Sequence, residues 1–571
     1  NNINEKIEVD LKKIKLILDP FNLKLNLKTF GSKLKSRNEI IEIENIKTQI
    51  SLKSLIENKF SIENLEISTK SLKIKNLISF FRSFQNTPEL FILEKSIKGG
   101  YLIADIKLEF DEKGKVKDNY KISGFLKDIK FDIFKKYNFQ KLNSIFEYQK
   151  DNLSFNNIEF LFNDLNFLSE NISFKKIQNN FLVKGNINHK VLDIKEKNLS
   201  LFLKPYLPEI DVKKLRLSSN NDFSFKVSKK FKFDDFKLDT KLSIDEFSII
   251  NKFNLKKFLP NIKESLNFLD HKLSIKYSKD NLNIIGKGSV LLQEKNDTFT
   301  YSINKKNNIL NLKTSLNIDD NPFKIDFLNY KKDEKKDALL QLELSKNIKN
   351  QFFVKSFSIK EEKNIIKFKN LALNEKLEII KLGAINLDYI DAEKQKNFIK
   401  LYPNKKEFNL DGSYFNANKL IDSLLTEDKN TNFLNIDSKI NINVNKIYLD
   451  NEYNLQNFTG DISFKNKEII KANLIGNFSS DKKLKFIINT VNDNKVTTLY
   501  VDRAKPIVKR YKFIKGFDEG ILDFYSSKKL GASTSQLKIY DFKLKELPLL
   551  TKILTLASLQ GIADILSGEG I

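Results

Sequence analysis

Apolar and polar residues alternate along most of this chain. Leu310, Leu312, Leu316 and Ile318 are separated by Asn311, Lys313, Ser315 and Asn317. Phe323, Ile325 and Phe327 continue the pattern, followed by Leu340, Leu342 and Leu344, then Ile440, Ile442 and Val444, then Leu484, Phe486 and Ile488. Successive side chains of an extended strand point to opposite faces, so each run predicts a strand with one apolar and one wet face. Polar turn signals separate the runs: Asp111-Glu112-Lys113-Gly114, Lys279-Asp280-Asn281, Lys305-Lys306-Asn307-Asn308 and Asn492-Asp493-Asn494. They recur about every 8–14 residues, the cadence of an antiparallel meander. At about 13 residues per strand and turn the chain has room for roughly 35–40 strands, far more than the ~10 of an ordinary sheet. The expected fold is mainly β: one long, curled antiparallel sheet whose repeated apolar faces line a β-groove. A closed outer-membrane barrel is a weaker fit, because it needs strands of about 9–11 residues and aromatic girdles. Trp is absent, and many of the runs are short.

A few helices interrupt the pattern. Ser51 to Asn58 carries Leu52, Leu55 and Ile56 on one side, and Asn76 to Phe84 carries Leu77, Ile78, Phe80, Phe81 and Phe84. Between them lies a strand with a bulge expected at Glu63-Asn64. Proline-marked breaks at Lys204-Pro205-Tyr206-Leu207-Pro208 and Phe258-Leu259-Pro260 suggest further short helices. After Tyr540 the chain changes character, and an amphipathic helix is expected over about 548–566. Pro548 fits its first turn, and Leu549, Leu550, Ile553, Leu554, Leu556, Ala557 and Ile565 form a broad apolar face at helical spacing. Lys552 and Asp564 leave too short an apolar stretch for a membrane span. That helix is expected to cover the end of the sheet or to lie on a membrane surface.

Composition narrows the function. The net charge of +26 invites a nucleic-acid reading. However, nearly all of the positive charge is Lys, dispersed among Asp and Glu as in Lys331-Lys332-Asp333-Glu334-Lys335-Lys336. Arg, the residue suited to bidentate phosphate and base contacts, is scarce. The charge reads as a solvated outer face, and no nucleic-acid partner is expected. With no Cys there is neither a disulfide nor a thiol nucleophile. His189 and His271 stand alone and read as exposed strand or turn residues. No Gly-x-Ser-x-Gly motif or phosphate loop occurs. The expectation is therefore no catalytic residue, no metal site, no cofactor and no enzyme. The chain also lacks Met, so it is expected to be a piece of a longer protein whose N-terminal anchor lies outside it.

Pattern alone leaves two architectures open. The apolar faces could pack on a second sheet as a sandwich core, or they could remain open as a trough. The segment Leu410-Asp411-Gly412-Ser413-Tyr414-Phe415-Asn416-Ala417-Asn418-Lys419-Leu420-Ile421-Asp422-Ser423-Leu424-Leu425 resembles an element of the AsmA-like family, a Gly-containing strand followed by a short helix. Asn454 to Gly460 and Ala472 to Phe478 are similar to the strands that follow it. The tail, from Phe513-Ile514-Lys515-Gly516 through Ile539-Tyr540-Asp541-Phe542 to Leu554-Thr555-Leu556-Ala557-Ser558-Leu559-Gln560-Gly561-Ile562 and Gly568-Glu569-Gly570-Ile571, resembles the C-terminal region of the YhdP and TamB type. The resemblance divides the chain into a repetitive β-groove region, 1–405, and an AsmA-like region, 406–571, that continues the same sheet. It implies a bridge-like lipid-transfer protein of a Gram-negative bacterium, anchored in the inner membrane and crossing the periplasm. Its groove would carry phospholipid or another acyl lipid toward the outer membrane, with membrane-protein partners at the ends. A non-enzymatic periplasmic scaffold or regulator of outer-membrane assembly is the alternative.

Overall fold

The structure is a computed structural model. It describes residues 8–544, apart from 37–38, 85–86, 134–136, 179, 195–197, 200–202, 205–209, 229–231, 253–254, 348–350, 376–378, 426–436, 466–467, 511–515 and 530–531. The chain is mostly β, with few short helices. Its described strands form one very large mixed sheet of 33 strands, not closed into a barrel, and a separate two-stranded sheet. The residues fall into two compact units, 1–249 with 269–284, and 250–268 with 285–571.

In the first unit the sheet begins with the hairpin Lys13–Asp19 and Lys24–Phe30. Glu39–Ser51 pairs with the second hairpin strand, and Ile62–Thr69 and Ile97–Glu109 follow in order. The sheet then continues as a meander through Lys121–Ile133, Tyr137–Gln149, Asn152–Phe162, Leu165–Ile177, Asn180–Asp193, Val212–Ser228 and Phe233–Ile250. These strands have 11 to 18 residues, much longer than the apolar runs suggest. Bulges explain the difference. Lys121–Ile133 places Ile122 on one face and Phe125 on the other, then shifts register beside Asp128, whose φ is 53°. The Asp128 amide donates to Asn143 Oδ1 at 2.9 Å. One extra residue thus restarts the alternation, so a single strand reads as two short runs. The bulge expected at Glu63-Asn64 is present, since Gln49 faces Asn64 while Ile50 faces Ile62.

The expected helices occur at Leu52–Ile56 and Ile74–Phe84. A third, Pro88–Ser96, was not anticipated. Its Thr87 side chain accepts from the Leu90 amide at 3.4 Å, and Pro88 occupies the first turn, a start signal legible in Thr-Pro-Glu. Phe80 and Leu77 of Ile74–Phe84 pack on Ile41, Ile43, Leu72, Ile46 and Ile67, covering that part of the apolar face.

In the second unit the order is Asp297–Lys306, Ile309–Ile318, Ala338–Lys346, Phe352–Glu361, Asn364–Leu373, Ala384–Ile390, Lys396–Asn404 and Glu407–Asn416. Two of the turns are two-residue ones with both residues at positive φ, at Asn307 (48°) and Asn308 (63°), and at Asn492 (50°) and Asp493 (59°), the geometry that suits strand twist. The expectation of a wholly antiparallel sheet fails at one ladder. Glu407–Asn416 runs parallel to Ser438–Tyr448. A hairpin cannot join parallel strands, and the helix Asn418–Leu425 stands in that connection. Antiparallel pairing resumes through Asn454–Lys465, Glu468–Asn477, Lys483–Val491, Asn494–Val501, Phe517–Lys529 and Ala532–Leu544. The Phe258-Leu259-Pro260 break forms turns rather than a helix. Residues 205–208 and the terminal helix of 548–566, with its face from Leu549 to Ile565, lie outside the described residues. Among the described residues, no helix is long and apolar enough to cross a membrane.

Candidate lipid-binding face

Register decides which side chains share a face. Leu312 lies opposite Leu344 and Leu316 opposite Leu340, while Leu342 faces Thr314 and Ile318 faces Ala338. Leu310 faces the main chain position of Lys346, at the margin of the apolar rows. Each row then passes from strand to strand. One runs Leu342, Phe357, Phe368, Ile385, Leu401, Leu410, Ile442. Its neighbour runs Leu340, Ile359, Ile366, Leu387, Ile399, Gly412, Val444. Ile440 pairs with Phe408 on one side and Ile462 on the other. Beyond it, Ile442 meets Gly460, Gly460 meets Leu474, and Leu474 meets Phe486, which meets Leu499 and then Phe524. Leu484 and Ile488 flank Phe486 on the same face. Three groups of residues, spread from Leu310 to Ile488 in sequence, thus belong to one continuous apolar face.

Two of the expected lining residues, Phe323 and Ile325, are buried but off the large sheet, and Phe327 departs from the pattern. Lys324–Ile325 pairs only with Tyr330–Lys331, and Asp326–Leu328 is a 3₁₀ turn that leaves Phe327 44% exposed. Alternation mistakes this segment for a strand because its apolar spacing of two is also met by a tight turn. The segment instead forms a rim beside the strand ends. Tyr389 donates to the Leu328 carbonyl at 2.7 Å, and the Ala392 amide donates to the Asn329 carbonyl at 2.8 Å. Tyr330 donates to Glu361 Oε2 at 3.0 Å, and the Asp333 amide to Glu361 Oε1 at 2.8 Å. Buried Lys332 is satisfied by the Asp319 and Asp333 carbonyls. Burial pushes the buried Asp297 carboxyl up to about 6, although Asn321 Nδ2 and the Asp319 amide donate to it at 2.9 and 3.2 Å.

Burial varies along the face, with Leu401, Val354 and Leu371 buried in one cluster and Leu499 and Phe524 in another. Ile359, Ile366, Leu387 and Val444 are enclosed, whereas Leu312, Leu342, Leu344, Phe368, Ile385, Leu410, Ile442, Leu474 and Phe486 remain half-buried. Among the described residues of each unit, extensive close approaches between strands are those of ladder neighbours. The half-buried row packs against the buried side chains of Val354, Leu371, Leu382 and Leu401 and is itself only partly covered. The opposite face is charged: Glu343 lies 3.3 Å from Lys313 and 3.0 Å from Lys355, and these contacts, the Lys355 hydrogen bond foremost, hold its carboxyl below the usual range.

The first unit repeats the arrangement with residues that sequence reasoning did not single out as lining. A row runs Gly124, Phe146, Phe155, Ile172, Gly185, Phe223, Leu238. At Gly124 an added Cβ would sit 2.8 Å from the Phe146 ring and 2.1 Å from the Ile103 carbonyl, so only glycine lets that ring lie across the strand. The signal was present in the sequence but was split by bulges.

The two histidines also differ from expectation. His271 is buried, because its strand points it inward. His189 lies on a strand and is half-buried against Phe167, beside a cavity of about 270 Å³ lined by Phe162, Leu192, Leu199, Leu203, Leu215 and Leu217. Its Nδ1 is 3.0 Å from the Lys190 carbonyl and its Nε2 2.6 Å from Ser219 Oγ, which also accepts from Asn221 Nδ2 at 2.7 Å. Both ring nitrogens are thus engaged, and desolvation lowers the imidazole pKa. The arrangement reads as a satisfied structural network. Among the described residues no His, Asp or Glu cluster has the geometry of a metal site. No protein-family model matches this chain, and neither a curated protein nor a solved structure does.

Proposed function

We propose that this chain carries acyl lipid, phospholipid foremost, along its apolar sheet face. One observation carries the reading: within each unit the ladder registers place apolar side chains on one face strand after strand, and in the second unit much of that face, from Leu312 and Leu342 to Phe486, is only half-buried. Moving an acyl chain into water costs about 0.8 kcal/mol per methylene. A continuous apolar surface lowers that cost along its length and leaves the headgroup in water. Such transport needs neither a nucleophile nor a metal. The AsmA-like resemblance supports the same reading and adds its setting: a bridge-like protein of the Gram-negative periplasm, held at the inner membrane and delivering toward the outer membrane. Native mass spectrometry of the purified chain, together with phospholipid transfer between vesicles, tests it. Retained phospholipid and accelerated transfer are expected. A lipid-free chain that transfers nothing would replace this reading with a periplasmic scaffold.

A further inference from the structure

The first hairpin ends in an unusually bare apolar tip. Phe21, in the turn between Lys13–Asp19 and Lys24–Phe30, is 96% exposed, and Leu18 beside it is 59% exposed. The helix Leu52–Ile56 stands at the same end of the sheet, because the Leu52 amide donates to the Leu23 carbonyl at 2.8 Å. Its Ile56 is 79% exposed. Large side chains left in water as a group mark a surface that meets something apolar.

A second feature adjoins the tip. On one face of the first strands lies an open hollow of about 340 Å³ lined by Lys15, Lys28 and Lys47, with Asn26, Gln49 and Asn64 and one acid, Glu66. Ile17 and Asn26, which pair across the hairpin, form its near edge, only two residues from the Asp19–Lys24 pair at the turn. Lys47 lies 3.5 Å from Glu66. Lys15 and Lys28 have no carboxylate partner among the described residues, and Lys28 instead sits 4.6 Å over the Phe30 ring. The nearby acids are already engaged: Asn22 donates to both Asp19 oxygens at 3.1 and 2.8 Å, and Glu57 lies 3.1 Å from Lys59.

We infer that this end of the sheet docks on a bilayer surface, with Phe21, Leu18 and Ile56 entering the acyl boundary and Lys15 and Lys28 receiving anionic headgroups. The pairing of an apolar tip with a cationic hollow is the pattern that interfacial membrane binding requires. The inference rests on the lipid-transfer reading for its choice of a bilayer over a soluble partner. It deepens that reading by naming where the chain meets its membrane.

Vesicle flotation tests it, using the full chain with phosphatidylcholine vesicles that contain or lack phosphatidylglycerol. The unaltered chain is expected to float with the anionic vesicles and to release in high salt. Phe21→Ser with Ile56→Ser should lower partitioning about tenfold or more, and Lys15→Gln and Lys28→Gln about fivefold each. These side chains are solvent-exposed or line an open hollow, and unchanged circular dichroism verifies the fold. A chain that never floats, or variants that float as well as the parent, would overturn the docking surface. So would dimerisation abolished by the Phe21 and Ile56 changes, which would make a second copy the occupant. Bound phospholipid is measured in the same samples: cargo without flotation sinks the docking alone, and flotation without cargo sinks the transfer reading alone.

Discussion

Neighbouring residues on one strand should behave oppositely if the apolar face carries lipid. Leu312 and Leu344 lie opposite each other, half-buried on that face, and Lys313 and Glu343 lie opposite each other on the charged side. Replacing Leu312→Asn and Leu344→Asn puts two amides in the path of an acyl chain. If three or four methylenes lose an apolar neighbour while passing, at about 0.8 kcal/mol each, the barrier rises by about 3 kcal/mol. That corresponds to roughly a hundredfold slower transfer. The half-exposed leucines contribute about 1–2 kcal/mol each to folding, and a thermal melt measures that loss separately. The control is Lys313→Gln with Glu343→Gln, which removes a cross-strand ion pair worth less than about 1 kcal/mol and leaves the apolar face intact. Vesicle transfer and native mass spectrometry are the assays. Transfer that is slowed equally by both pairs, or that survives the asparagines, would refute the argument that one face carries the cargo.

Three structural predictions follow from single sites. Asp297 has a folded-state pKa of about 6 against an ordinary 3.8, so it binds its proton more tightly when folded. Its contribution to stability is therefore greatest below the unfolded value and falls by on the order of 3 kcal/mol as pH rises from about 4 through 6. Urea midpoints across that range should flatten for Asp297→Asn, and an unchanged slope counts against the assignment. Gly460 has a φ of 149°, and a Cβ there would lie 1.8 Å from the Asn473 carbonyl oxygen. Gly460→Ala should therefore cost at least about 1–3 kcal/mol, read as a lower denaturation midpoint. Arg510 joins the helix Lys505–Arg510 to the start of the crossover helix, donating to the Asn418 carbonyl at 3.2 Å, to Asn418 Oδ1 at 2.8 Å and to the Leu449 carbonyl. Arg510→Lys replaces the planar fork, whose two terminal nitrogens share these acceptors, with a single compact ammonium and should cost about 1–3 kcal/mol; a thermal melt like that of the parent would show that the contacts are dispensable.

Much of this fold was legible because strand alternation is local. A polar residue in water and an apolar one under cover cost little or nothing only if the backbone is extended, and the Leu310–Ile318 and Leu484–Ile488 runs declare this without reference to the rest of the chain. Two-residue turns such as Asn307-Asn308 are equally local, since they need positive φ from residues that tolerate it. Phe323 to Phe327 shows the limit, because spacing by two does not distinguish a strand from a tight turn. Strand length was hidden too: one bulge residue such as Asp128 shifts the phase and cuts a thirteen-residue strand into two apparent pieces.

By itself, the sequence determined the chain's β character, its repeating turns and the apolar side of the unbulged runs, because these depend on neighbours two to four residues apart. Only the tertiary structure decided which strands adjoin, that Glu407–Asn416 runs parallel to Ser438–Tyr448, and that Leu342, Ile442 and Phe486 share one face. Ladder register is set by hydrogen bonds between residues far apart in the chain, and by the enclosing of Asp297, Lys332 and Glu361 in a polar rim. No local pattern of hydrophobicity encodes those long-range pairings.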